Sequence, residues 1–148
     1  MKKILMFSVL VLTAAGVFAN NPTEVSEKVL KIFHETFKEA RQVSWQENED
    51  HYSVRFMQGD VRYIVYYDRN GEITHSMRFY QPDLLPMHIM KIIKANYKNM
   101  TLFGVTEITS GDDVAYFVKM EDSKNWYTIK FDGYGDRQVY EKFRKQQQ

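Results

Sequence analysis

Four histidines, His34, His51, His75 and His88, are the side chains of this 148-residue chain best suited to move a proton or hold a metal near neutral pH. They stand singly, with no His-x-His or His-Glu-x-x-His spacing that would aim two imidazoles at one ion, and His34 and His88 are expected on the solvent faces of helices. The chain has no cysteine and hence no thiol nucleophile, and no serine sits in a Gly-x-Ser-x-Gly elbow. Asp68-Arg69-Asn70-Gly71 shares oxygen ligands and a glycine with a calcium loop. An EF-hand, however, needs a third oxygen ligand before the glycine and a glutamate several residues after it. The same four residues make a hairpin turn, with Asp68 bonding its own backbone and Gly71 taking a positive φ. Ser110-Gly111-Asp112-Asp113 reads as another turn, Gly133 and Gly135 open no helix that could cradle a phosphate, and Asn99-Met100-Thr101 satisfies the glycosylation sequon. No catalytic residue, metal or cofactor is predicted.

The elements that carry these residues can be placed from periodicity. Val25, Val29, Ile32, Phe33, Phe37 and Ala40 recur at three- and four-residue spacing, which predicts a helix from a cap at Thr23 to about Arg41. Strands are expected near 43–48, 51–58, 61–68 and 72–80, joined by short turns that make them antiparallel neighbours. Pro82-Asp83-Leu84-Leu85-Pro86 breaks the strand pattern and opens a second helix to about Asn96, with Ile89, Ile92, Ile93 and Tyr97 on its inner face. Strands follow near 101–109, 114–121, 125–131 and 136–143. The pattern repeats: Lys31-Ile32-Phe33 returns as Lys91-Ile92-Ile93, Tyr52-Ser53-Val54 as Tyr116-Phe117-Val118, and Tyr67-Asp68 with Gly71 as Phe131-Asp132 with Gly135. The predicted fold class is α+β, a tandem repeat (about 24–80 and 83–143) of a helix followed by an antiparallel β-meander, with the helices packed on one face of the sheet.

Residues 1–19 read as a secretory signal peptide. Lys2 and Lys3 form the positive start, Ile4 to Leu12 the apolar stretch, and Val17-Phe18-Ala19 the cleavage site, so residues 20–148 are expected to form a single domain. The apolar run is too short to span a bilayer, and a lipoprotein would need a cysteine after the cleavage site. The expected location is the periplasm, without stable membrane insertion and without disulfides. Loss of Lys2 and Lys3 takes the formal charge from +1 to −1, which gives no global field for nucleic acid. Ten Tyr and ten Phe, most of them in strand-like segments, favour an aromatic-rich sheet.

The run Phe37-Lys38-x-Ala40-x-x-Val43-x-Trp45, the aromatic-Asp-x-x-Gly turns and the Leu85-Pro86 helix opening, in that order behind a signal peptide, resemble a known group. They are similar to the β-lactamase-inhibitor-like (BLIP-like), PepSY-like family of small exported bacterial proteins, over about Phe33 to Tyr140. The resemblance implies a tandem helix-plus-sheet fold, a periplasmic setting and an inhibitory or binding role. The β-lactamase inhibitor itself carries disulfides that this chain cannot form, so the resemblance transfers no binding residue.

Alternation along the strands separates two sheet faces. Tyr52, Val54, Phe56, Tyr63, Val65, Tyr67, Tyr116, Val118, Met120, Tyr127, Ile129 and Phe131 are the expected core face. The other face mixes aromatic and aliphatic side chains with cations, the composition enriched at protein interfaces. Trp126, Phe117, Tyr66, Ile64, Arg55, Arg62, Lys119 and Lys130 are its candidate partner-binding residues, with Trp126, Phe117 and Tyr66 as anchors. Eight strands about 17 Å long at about 4.8 Å spacing offer roughly 650 Å², close to the roughly 800 Å² each partner buries in a standard complex. The expected function is a periplasmic, non-catalytic protein-binding module that inhibits or regulates an exported enzyme, as a monomer or weak dimer. The alternatives are a small-ligand or envelope-lipid binding protein with a pocket between helices and sheet, and an enzyme whose site is assembled from scattered residues.

Overall fold

The computed structural model describes residues 25–146, so the signal peptide expected over 1–19 and the cap expected at Thr23 lie outside the described residues. The chain runs α1 (Glu27–Thr36), β1 (Arg41–Glu47), β2 (His51–Gln58), β3 (Val61–Asp68), β4 (Ile73–Tyr80), a 3-10 turn (Pro82–Leu84), α2 (Met87–Asn96), β5 (Thr101–Ser110), β6 (Asp113–Glu121), β7 (Asn125–Asp132) and β8 (Arg137–Arg144). The elements start and stop close to where periodicity places them, except that α1 is shorter. Ser26 caps it, its Oγ accepting the Val29 N–H at 3.4 Å. It ends at Thr36 because Phe37 leaves helical geometry (φ −118°, ψ 66°) while its N–H still closes on the Phe33 carbonyl.

The assembly of these elements corrects the expected fold class. A tandem repeat of helix plus meander requires two units; instead β4 hydrogen-bonds to β5 in antiparallel register from His75↔Ser110 to Tyr80↔Val105. The strands therefore form one eight-stranded antiparallel sheet in the order β1 to β8, and the two ten-residue helices are minor elements on it. The sequence pattern marks each strand and each turn but not which strand adds to which across the Pro82–Asn96 connection. Unsatisfied backbone groups on β4 and β5 find partners in each other, and that closes the gap.

Register then fixes the two faces. Tyr52↔Tyr67, Val54↔Val65 and Phe56↔Tyr63 stand under α1, and Tyr116↔Phe131, Val118↔Ile129 and Met120↔Tyr127 under α2, on the same side of the sheet. Val29 and Phe33 of α1 and Ile89 and Ile93 of α2 are completely or almost completely buried against these rows. Phe33 meets Trp45 and Phe56 edge-on, each at 5.2 Å between ring centroids, a geometry aromatic quadrupoles favour. Between the two helix footprints the covered face turns polar. The buried Glu107 of β5 accepts from the Tyr80 hydroxyl at 2.6 Å and from Arg78 Nη1 at 3.0 Å, both across the β4–β5 junction. Burial and then the Glu107 bond hold the Tyr80 phenol far above its ordinary pKa. Burial alone would lower that of Arg78, but the adjacent carboxylate raises it overall.

The turns repay their composition in backbone bonds. Asp68 Oδ1 accepts from the N–H groups of Asn70 and Glu72 at 2.9 Å, so its carboxylate organises the β3–β4 hairpin. Gly71 needs its φ of +89°, and a Cβ there would stand 2.6 Å from Ile32 Cδ1 of α1. Arg69 reaches back to Glu47 at 2.7 Å and to the carbonyls of Asn48 and Glu49, tying the β1–β2 turn to the β3–β4 turn. The first and last strands each hold one residue too many for their partner: β1 between Arg41 and Ser44, where Gln42 has φ +55°, and β8 between Val139 and Glu141.

Two substitutions test this packing. Tyr67 is fully buried, its hydroxyl has no hydrogen-bond partner among the described residues, and burial pushes its pKa to about 12. Tyr67→Phe is expected to raise stability by about 1 kcal/mol, read as a higher urea midpoint at unchanged slope. Glu107→Ala strands Tyr80 and Arg78 together and is expected to cost about 3 kcal/mol by the same measurement.

Candidate functional site

Both helices pack on one side of the sheet, and the opposite side carries every candidate residue named from the sequence. Reading across the strands, one row on this open face runs Met57, Arg62, Phe79, Thr106, Phe117, Lys130, Gln138 and the adjacent row runs Arg55, Ile64, Met77, Ile108, Ala115, Asp132. The eight candidates do not meet in one cluster. Arg55, Arg62, Ile64 and Tyr66 share β2 and β3, while Phe117, Lys119, Trp126 and Lys130 share β6 and β7. Two strands separate the groups, and their contribution, Met77 and Phe79 from β4 with Thr106 and Ile108 from β5, was not anticipated. The missing signal is subtle: β4 turns Ser76 and Arg78 to the covered side, so its apolar pattern alone names the wrong face, and only the opposite charges of Arg78 and Glu107 hint at the true register.

The aromatic members are only partly free. Tyr66 lies between two imidazoles, stacked on His75 at 3.9 Å and 5.9 Å from His51. Burial and the nearby His51 depress the His75 pKa. Phe117 meets Tyr140 edge-on at 5.0 Å and carries Lys130 at 5.8 Å over its ring. Trp126, 45% exposed, donates its indole N–H to Glu121 at 2.9 Å, and Lys145 covers its ring at 5.6 Å while pairing with the same Glu121. Those two bonds, Lys145 first, hold the Glu121 pKa below the usual carboxylate range. Tyr140 and Phe143 of β8, both more than half exposed, extend the aromatic surface past Trp126.

The cations are different. Arg55, Arg62, Lys119 and Lys130 stand on this face with no carboxylate within 4.0 Å among the described residues. Arg62 instead lies 4.5 Å over the Phe79 ring. Several carboxylates of the face are committed locally: Glu121 to Lys145, Glu141 to the Thr128 hydroxyl, and Asp68 and Asp132 to their own turns. An arrangement of unpaired cations over aromatic rings can hold an anion or a partner's acidic side chains. The histidines do not assemble a metal centre: His34 is exposed, His88 bonds the Gly133 carbonyl at 3.1 Å, and no group of three or more metal-ligating residues forms among the described residues.

The β6–β7 turn that delivers Trp126 hangs on Asp122, whose carboxylate accepts from the N–H groups of Lys124 and Asn125 at 2.7 Å and from the Tyr127 hydroxyl at 2.9 Å. Chiefly the backbone bond from Lys124 pulls its pKa from 3.8 to about 2. A depressed folded-state pKa stabilises fully above the unfolded value, so this contribution is present above pH 3.8 and is lost as the pH falls through 2. Asp122→Asn is expected to flatten the dependence of melting temperature on pH across that window.

No protein-family model and no curated protein matches the sequence. Solved structures do match in shape. A DUF2874 family protein from Bacteroides uniformis is similar at 16% identity and a TM-score of 0.59, over 80% of this chain and 88% of that one. A BLIP-like protein from Bacteroides fragilis is similar at 14% identity and a TM-score of 0.60, over 80% and 85%. A presumed periplasmic protein from Bacteroides eggerthii is similar at 14% identity and 0.60, over 81% and 88%. None of these neighbours bears on the PepSY-like half of the expected resemblance. The chain has the fold of the BLIP-like and DUF2874 proteins.

Proposed function

We propose that this chain is an exported, non-catalytic protein-binding module that presents the open face of its sheet to a protein partner in the periplasm and regulates it by occupancy. The observation that carries the reading is the set of four cations without carboxylate partners, set among Phe79, Phe117 and Trp126 on the one sheet face that no helix covers. Covered faces satisfy their charges internally, as Glu107 does; an open face with unsatisfied cations and half-buried rings gains by burial against a complementary surface. Export is supported by the signal-like residues 1–19 and by the fold shared with a presumed periplasmic protein. The rival small-ligand or lipid site between helices and sheet finds that space filled by Phe33, Ile89 and Ile93, packed directly on the strands.

Trp126→Ser combined with Phe117→Ser tests the reading. Both side chains lie outside the helix-covered core, so the melting temperature is expected to move by no more than a few degrees. Affinity capture from the host's periplasmic fraction is expected to retain a protein on the wild type and to lose it on the double variant. Retention of the same proteins by both, or of none by either, defeats the proposal.

A further inference from the structure

An open cleft of about 430 Å³ lies on the uncovered face where β4 ends and β5 begins. Phe79 and Phe103 supply its apolar walls, Arg62 and Lys119 its cations, and Asp60 stands at the rim, which leaves one net positive charge among these side chains. Gly104 lies among the lining residues at the β5 bulge, and neither its backbone angle nor crowding forces it to be glycine. It sits inside a strand, its φ is not in the left-handed region, and a Cβ built on it would meet nothing within 4 Å. A strand glycine loses more backbone freedom on folding than any other residue and packs nothing in return. The extra residue of β5 at this point, Phe103, is turned out to 45% exposure beside the gap. A missing side chain, a ring swung outward and two cations without carboxylate partners thus coincide in one place.

We infer that this cleft is the anchor pocket for an acidic loop of a protein partner, a partner carboxylate pairing with Arg62 and Lys119 while a neighbouring apolar side chain fills the space over Gly104 between Phe79 and Phe103. The inference rests on the protein-binding reading of the open face and adds the chemistry of the partner. Charge complementarity selects the occupant: Arg55 and Lys130 stand on the same face as the cleft cations, so an acidic segment gains at several points and a basic one is repelled. The open strand position selects the shape, since Gly104 leaves room for about one side chain and the flanking rings offer it apolar contact.

A library of random disulfide-cyclised peptides displayed on phage is the probe, selected against the immobilised wild-type protein, which has no cysteine to exchange with it. Enriched peptides are expected to carry Asp or Glu beside a Leu, Met or Phe, and titration calorimetry on a synthesised winner measures the variants. Gly104→Val puts a side chain into the cleft at a position where a Cβ meets nothing within 4 Å, so it is expected to melt at or above the wild-type temperature while weakening the peptide at least tenfold. Arg62→Gln with Lys119→Gln is expected to weaken it at least tenfold and to remove most of its salt dependence. No enrichment, winners without an acidic residue, or binding to Gly104→Val within twofold of wild type overturns the inference. Winners indifferent to Gly104→Val but lost on the Trp126→Ser, Phe117→Ser protein overturn the cleft and leave the open-face reading standing.

Discussion

The β4–β5 ladder is the constraint on which everything else rests. Without it the strands would form two short sheets, each with one additional raw edge; with it, eight strands share one twist and one pair of faces. The ladder also decides where charge can be buried. Arg78, Glu107 and Tyr80 meet only because residues 29 and 27 positions apart are brought into register, and their mutual bonds let a carboxylate sit inside the covered face. The packed apolar clusters under α1 and α2 flank this polar seam, and Tyr63 touches both.

The two faces divide the physical work. The covered side holds nearly all of the buried apolar residues and settles its charges internally. The opposite side is a surface of intermediate burial, where side chains shield one another without a second layer above them. Ring-over-ring and cation-over-ring contacts, such as His75 on Tyr66 and Arg62 on Phe79, keep that surface ordered while leaving its charge unneutralised. Local order of this kind lowers the entropy lost on association, because the side chains that would meet a partner already hold their positions.

Much of the element map was legible in the sequence because period-two alternation and Asx-type turns are local signals. Tyr52, Val54 and Phe56 announce the covered side by themselves, and Asp68 with Gly71 announces its hairpin. The candidate surface was legible in the same way for β2, β3, β6 and β7. It failed on β4 and β5, where Arg78 and Glu107 occupy covered positions and Met77, Phe79 and Ile108 open ones, so hydrophobicity and burial run against each other. The joining of the strands into one sheet was illegible for a related reason: it depends on a long-range pairing across α2, and no residue near Pro82 or Thr101 encodes a neighbour. The gap at Gly104 was hidden too, since a glycine in a strand is silent until the volume around it is known.

The extra residues in β1 and β8 have a consequence for the sheet as a growing object. Each outermost strand is hydrogen-bonded on one side only, and each carries its irregularity within the strand. At Gln42 and around Tyr140 the amide rows fall out of phase, so a foreign strand laid alongside loses step after a few residues. An open ribbon rich in tyrosine and phenylalanine is thereby made self-terminating, and a crowded solution finds no template from which to spin a fibre.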